Sequence, residues 1–321
     1  MACIYFFLVP AYLARRVGQH ASGEGAEALK PRPWSCTITR IDETGLTRAV
    51  GTWRGDEMNL QLTRKKALVT GSTAGIGFAI AALLAREGAH AVVNGRSTER
   101  VAAAVSRVRA ESPSANVDGV AADLGTAGGA KRLIAAVPDV DILVNNVGIF
   151  EPKPFETIPD ADWLRFFEVN VMSGVRLSRH YLPRMKEKNW GRIIFISSES
   201  AINIPAEMIH YGMTKSAQIS IARGLAETTV GTGVTVNSVL PGPTRSEGVA
   251  TFIEQLAKEQ ELTFQEMEKQ FFETARPTSL LKRFIDPKEV AALVVYLCSP
   301  LSSATNGAAL RVEGGVVRSM I

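Results

Sequence analysis

The sequence predicts a single α/β domain: a doubly wound parallel sheet with helices on both faces, preceded by an irregular N-terminal segment. Three observations lead there. From residue 58 onward, short apolar runs alternate with longer amphipathic stretches. The runs are nearly continuous in Val, Ile, Leu and Ala, as in strands covered on both faces. The first run leads at once into a glycine-rich turn and then a helical pattern.

The strand candidates are 67–69, 90–93, 118–121, 142–144, 193–196 and 234–239. Between them, helical spacing predicts helices at 76–87, 97–111, 127–136, 160–188, 211–228 and 287–297. Strand-helix alternation makes the sheet parallel. Right-handed crossovers then place helices on both faces and a ligand at the carboxyl ends of the strands. No internal repeat or low-complexity tract interrupts residues 58–321.

Residues 1–57 read differently. Gly18, Gly23, Gly25, Pro31, Pro33, Gly45, Gly51 and Gly55 punctuate them, and no helical or strand period survives. Two readings stand. Either Met58 is the natural initiator and the preceding segment is an upstream extension or disordered arm, or the segment is a short accessory piece that packs on the domain. A native intact mass beginning near Ala2 would exclude the first. The apolar run 3–14 is shorter than the roughly 20 residues a membrane span needs. Pro10 interrupts it and no basic region precedes it, so neither a span nor a secretory signal is expected.

The 321 residues are 46% hydrophobic and 21% charged, which supports a sizeable core. Net charge is +4, but the compact basic cluster is only Arg64-Lys65-Lys66, just ahead of a strand. Without a basic face interleaved with aromatics, no nucleic-acid partner is expected. Three cysteines with no CxxC pair exclude a disulfide framework and a zinc knuckle, so the expected setting is reducing and cytoplasmic, with no metal.

Thr70-Gly71-Ser72-Thr73-Ala74-Gly75-Ile76-Gly77 lies between the first strand and the first helix. Gly71 permits the tight turn, Gly75 lets backbone approach a pyrophosphate, and Gly77 lets helix and strand pack closely. The helix amino end near Ile76 offers free N–H groups and partial positive charge to phosphates, the Rossmann-type arrangement.

The spacing is TGxxxGxG rather than GxGxxG, and here the chain resembles the short-chain dehydrogenase/reductase family. Further matches follow in order from about 65 to 315. Asp123-Leu124 resembles the family's adenine-contacting site, and Asn145-Asn146-Val147-Gly148 its NNAG turn with Val147 in place of Ala. Pro241-Gly242-Pro243-Thr244 resembles the turn beside the nicotinamide, and Val312-Glu313-Gly314-Gly315 the closing segment. The chain is similar to 3-oxoacyl-ACP reductase-type members. The resemblance implies a nicotinamide cofactor held by Gly71, Ser72, Thr73, Gly75, Ile76, Gly77, Asp123, Leu124, Asn146, Gly148, Pro241, Gly242 and Thr244, together with Tyr211 and Lys215. It also implies a homo-oligomer, tetramer or dimer.

A carboxylate ending the second strand, about 20 residues past the glycines, would suit the ribose 2′-OH of NAD(H). The residues there are Val93-Asn94-Gly95-Arg96-Ser97. Arg96 offers a planar fork suited to a 2′-phosphate, so NADP(H) is expected over NAD(H). Against this, Ala74 stands where many NADP-linked relatives carry a second basic residue, and Arg96 also reads as a surface arginine at a helix start.

Tyr211 and Lys215 are one helical turn apart and share a face. A phenol with a pKa of about 10 needs a nearby cation to work as a proton carrier at neutral pH. Ser198 closes the strand upstream, at the carboxyl edge of the sheet. The resemblance implies that Ser198 binds the substrate oxygen, Tyr211 moves its proton, and Lys215 lowers the tyrosine pKa and binds the ribose. Asn170, a helix-breaking asparagine in the family, holds a relay water. Ser197 is a weaker alternative to Ser198. His210 points about 100° away from Tyr211 and reads as incidental; Glu199 and Glu207 read first as residues of a solvated loop, with lining the mouth and tuning substrate charge as the alternative.

Residues 245–283 contain an amphipathic stretch, 249–272, with Phe252, Ile253, Leu256, Leu262, Phe264, Met267, Phe271 and Phe272. Either it is a substrate lid that excludes water, or its apolar side is ordinary core or subunit packing. The expected activity is hydride transfer between nicotinamide and a ketone, 3-oxoacyl thioester or secondary alcohol. The alternative is a catalytically silent nucleotide sensor, which needs the glycine loop but not Ser198, Tyr211, Lys215 and Asn170.

Overall fold

A computed structural model describes residues 59–320, apart from the Phe252 side chain, together with two strand backbones further upstream. The apolar run 3–14 and Met58 lie outside the described residues. The chain forms two compact units, Met1–Asn59 and Leu60–Ile321. In the first, β1 (Ser35–Ile41) pairs antiparallel with β2 (Thr47–Arg54), with a register shift between Ile38 and Thr39. This corrects the expectation that no strand lies in residues 1–57. Gly51 sits inside β2 opposite Ile38, beside the shift, and a glycine within a strand often marks such an irregularity. Punctuation by glycine therefore hid the strand rather than excluding it.

The second unit is built on seven strands: β3 (Lys66–Val69), β4 (His90–Gly95), β5 (Val117–Ala121), β6 (Ile142–Asn145), β7 (Gly191–Ile196), β8 (Val234–Pro241) and β9 (Ala309–Val312). They form one parallel sheet in the order β5-β4-β3-β6-β7-β8-β9. The direction of winding reverses between β3 and β6, which opens a crevice at the carboxyl ends of these two strands. β9 was missed by sequence because it is four residues long, half-exposed, and carries Arg311 in its middle.

Alternate side chains explain the helices on both faces. Ala67, Val69, Ala91, Val93, Ile142 and Val144 point to one side and pack with α1 (Gly75–Arg86), α2 (Thr98–Glu111) and α9 (Pro287–Cys298) through Ile80, Leu84, Val108 and Val294. Leu68, Val92, Leu143, Ile193 and Phe195 point to the other side. They meet Leu133 of α3 (Ala127–Ala136), Leu177 and Met185 of α5 (Ser173–Glu187), and Ala222 of α6 (Ile209–Glu227). Each such Leu or Ile contributes roughly 1.5–3 kcal/mol when fully buried, so two cores hold one sheet. Among the described residues no helix is long and apolar enough to cross a membrane.

The predicted helix 160–188 and the amphipathic stretch 249–272 are each divided. Residues 160–188 form α4 (Asp160–Phe167) and α5, joined by a π-helical turn at Glu168–Met172 that contains Asn170. Residues 249–272 fall in α7 (Glu247–Glu259) and α8 (Phe264–Thr274), with Glu261 between them at φ 55°. Thr263 and Glu266 form a capping box at the start of α8, which makes the break a proper helix end rather than a kink.

Candidate active site

The crevice between β3 and β6 continues into a groove of about 620 Å³ lined by Gly71, Thr73, Ala74, Gly75, Ile76, Gly77, Arg96, Asp123, Leu124, Asn146 and Gly148. The turn that shapes it is held from β6. Asn146 donates through its side chain to the carbonyls of Thr70 and Gly71 at 2.9 and 3.0 Å, and the Thr70 hydroxyl accepts from the Asn146 backbone N–H at 2.8 Å. Gly71 and Gly75 have φ of 59° and 56°, a region that disfavours any side chain. A Cβ on Gly77 would lie 2.5 Å from both the Asn146 amide nitrogen and the Gly71 carbonyl oxygen, so loop and helix approach as closely as glycine allows. α1 is preceded by Ala74 at its N-cap, with no side-chain cap and no acidic residue in its first turn, leaving its amino end for a phosphate. These features fit the pyrophosphate of a dinucleotide.

Three expectations for this groove are refined. Ser72 is fully buried; its hydroxyl donates to Val69 at 2.6 Å and accepts from the Asn94 N–H at 3.0 Å, so its side chain braces the turn rather than facing the groove. The Asn146 side chain is likewise committed to the loop. Asn94, at the end of β4, is buried and bonded to Val120, Ala122 and Gly71, which leaves Arg96 as the exposed group there. Arg96 has no hydrogen bond or ion pair among the described residues.

At the other end of the crevice, Ser198, Tyr211, Lys215, Pro241, Gly242 and Thr244 line a cavity of about 530 Å³. Ser198 follows β7, and Tyr211 and Lys215 project from the first turns of α6. Lys215 is buried; its Nζ donates to the Ile196 carbonyl at 2.9 Å and to Gln218 Oε1 at 3.3 Å, 5.6 Å from the Tyr211 ring centre. Asn170 is 1% exposed and packed in by three bonds. It accepts from the Ile149 N–H at 2.8 Å and donates to the Ile149 carbonyl and the Thr214 hydroxyl, both at 3.0 Å. Gln218 was not anticipated. Its amide donates to the Asn170 carbonyl at 2.6 Å, so it joins Lys215 to Asn170 directly. The signal was there to find: Gln218 is three residues past Lys215, on the same helix face.

Burial pushes the Tyr211 phenol above its ordinary pKa, and the neighbouring Ser198 hydroxyl and the Arg276 charge only partly oppose this. Burial also draws the Lys215 ammonium down to about 7. The hydrogen bonds of the ammonium go to Ile196 and Gln218.

Ser197, the weaker alternative, also lines the cavity, and its hydroxyl donates to the Lys215 carbonyl at 2.8 Å. His210 is fully buried, its ring 4.1 Å from that of Phe166, and burial lowers its pKa; it wedges α6 against α4. Glu199 is not a loop residue in solvent. It is 3% exposed and pairs with Arg276 at 3.0 Å. Glu207 does sit at the mouth, half exposed, 3.5 Å from Arg276.

The far wall of the cavity comes from α7, α8 and the segment after them: Val249, Ile253, Leu256, Met267, Phe271 and Phe284. Ile253, Met267, Phe272 and Phe284 also form a small core of their own. The same apolar side builds a local core and walls a cavity.

The short chain dehydrogenase family model matches residues 65–257. The chain is 54% identical over 263 residues to the uncharacterized oxidoreductase YvaG of Bacillus subtilis, covering 82% of this chain and 100% of that protein. It is 33% identical to the 3-oxoacyl-[acyl-carrier-protein] reductase FabG of Aquifex aeolicus, covering 81% of this chain and 100% of that protein. Among solved structures, the L-sorbose reductase of Gluconobacter frateurii, complexed with NADPH and L-sorbose, superposes with a TM-score of 0.77 at 29% identity, over 82% of this chain and 100% of that one. Motifs, sheet order and relatives agree: the chain is an oxidoreductase belonging to the short-chain dehydrogenase/reductase family, whose members bind a nicotinamide cofactor.

Proposed function

We propose that the protein is an NADP(H)-dependent oxidoreductase acting on a ketone, 3-oxoacyl thioester or secondary alcohol with an apolar body. The observation that carries this reading is convergence: Ser198, Tyr211 and Lys215 share one cavity wall, and the opposite wall is apolar. A nucleotide sensor would need neither.

The glycine turn and the amino end of α1 hold the pyrophosphate, with Asp123 and Leu124 at the adenine end. Gly148, Pro241, Gly242 and Thr244 bound the nicotinamide end. Arg96, exposed and with no ion pair among the described residues, would receive a 2′-phosphate. When bound, the nicotinamide supplies or accepts the hydride. Ser198 donates to the substrate oxygen, where charge develops. Tyr211, kept protonated by burial, gives that oxygen its proton in reduction and takes it back in oxidation. Lys215, near its own titration point, restores the tyrosine proton, and Gln218 links it to Asn170.

The charges around the cavity limit the substrate. Arg276 pairs with both Glu199 and Glu207, so its charge is already compensated and is not offered to a free substrate carboxylate. Small hydroxy acids are expected to be poor substrates, and neutral ketones with apolar chains good ones. Leu164 and Phe167, exposed on α4, support the expected dimer or tetramer. The test is cofactor oxidation with NADPH and NADH against neutral ketones, a 3-oxoacyl thioester and a 3-oxo acid. NADPH-linked turnover of the neutral substrates is expected. Tight NADPH binding with no turnover across the panel would move the protein to the sensor class.

A further inference from the structure

Glu199 follows Ser198 directly and does something unusual for a carboxylate: it is buried and fully engaged. Its Oε2 accepts from the Ser198 hydroxyl at 2.6 Å and from the Ser200 hydroxyl at 2.7 Å. Its Oε1 accepts from Arg276 Nε at 3.0 Å. Arg276 comes from the far end of the α7–α8 segment, 77 residues away, and is itself 8% exposed. It is fixed there by its own N–H to the Phe271 carbonyl at 3.1 Å, and its Nη1 donates to the Ala275 carbonyl at 2.8 Å. A buried ion pair gives little net stability once desolvation is counted, and its best-attested role is to select one arrangement. Here the arrangement selected joins the serine to the segment that walls the cavity.

We propose that Glu199 is a positioning residue for Ser198, and that Arg276 latches the α7–α8 segment to it. The serine hydroxyl has one proton, and Glu199 holds that proton and with it the side-chain rotamer on the cavity wall. An arriving carbonyl oxygen competes for the same proton, while Ser200 and Arg276 keep the carboxylate in place. Because Arg276 reaches Glu199 only when α8 is packed, the serine is correctly oriented only when the apolar wall is closed. Apolar substrate that fills the wall and polar chemistry at its end are thereby coupled. The serine part of this proposal rests on the oxidoreductase reading; the latch does not.

Two arms test it on the full-length protein. In the kinetic arm, Glu199→Gln is made alone and in a Ser198→Ala background, with turnover measured at saturating NADPH. Because one misdirected donor to a developing oxyanion costs about 10²–10³ at most, Glu199→Gln alone is expected to lower kcat by about tenfold or more, with NADPH affinity unchanged. In the Ser198→Ala background the same change should have less than about a twofold further effect, since coupled residues are not additive. Equal losses in both backgrounds would overturn the positioning role. In the structural arm, hydrogen exchange is followed in Arg276→Met, in Arg276→Lys and in the charge-neutral pair Glu199→Gln/Arg276→Met, with α6 as the internal reference for an intact fold. Exchange in 247–274 should quicken in both Met variants and be partly restored by Lys. Unchanged exchange there would overturn the latch. If the wild-type protein turned over no carbonyl, the oxidoreductase reading and the serine's role would both fall, and the exchange arm alone would decide the latch.

Discussion

The two ends of the crevice are built by different means. The nucleotide end is mostly backbone: a glycine turn, an uncapped helix start, and one asparagine side chain that ties them to β6. The substrate end is mostly side chains, brought from β7, α6 and the α7–α8 segment into one cavity. Backbone sites tolerate almost no added atom, whereas side-chain sites can be trimmed and will lose rate or selectivity in proportion. Substitutions at the two ends should therefore fail in different ways.

The largest effect is expected at the substrate end. Tyr211→Phe removes the proposed proton donor and should lower kcat by about 10²–10⁴, the usual contribution of a positioned acid, with NADPH affinity unchanged. Stopped-flow turnover and a fluorescence titration read the two quantities separately; retained turnover would remove Tyr211 from the mechanism. At the nucleotide end, Arg96→Glu should raise the KM for NADPH by about tenfold or more while leaving that for NADH within about twofold, since the lost contact is with a phosphate alone. Parallel losses with both cofactors would mean that Arg96 supports the loop instead.

Gly77→Ala sharpens the contrast. Its Cβ has nowhere to go, and overpacking of this kind costs about 1–3 kcal/mol. Lower melting temperature and weaker nucleotide binding should appear together. Ile253→Ala, by contrast, enlarges the apolar wall. The room gained should shift selectivity toward bulky ketones by about tenfold, the scale of a methylene or two. An equal loss for bulky and small ketones would place Ile253 in folding rather than selection.

The smallest effect is a pH dependence of stability. In the folded chain Lys215 releases its proton near 7, against about 10.4 when unfolded. Between these values the unfolded chain binds the extra proton, so stability from this group rises with pH and is lowest below about 7. Lys215→Met removes that burden. Without added nucleotide, its melting temperature relative to wild type should improve from pH 9 to pH 6; a constant difference would show that the lysine is not held in an unfavourable site.

Much of this was legible beforehand because it is local. The glycine turn, the strand cores and the Tyr211–Lys215 spacing depend on residues close in sequence, where period and steric need speak directly. The inward turn of the Ser72 hydroxyl was not legible, because a motif position says nothing about which way a side chain points. Glu199 was misread because a polar residue after a strand is usually in water, and only Arg276 changes that. The divided helix at Asn170 follows from hydrogen bonds to Ile149 and Thr214, neither of them near in sequence.

Neighbouring residues alone set the doubly wound sheet, the glycine turn and the shared helix face of Tyr211 and Lys215, through buried strands, positive-φ glycines and one-turn spacing. The tertiary structure decided what surrounds that tyrosine: a lysine near neutrality, a glutamine bridging it to Asn170, and a serine held by Glu199 and Arg276. Desolvation and ion pairing depend on which distant segments enclose a group, and that is settled when α8 packs and carries Arg276 back to β7.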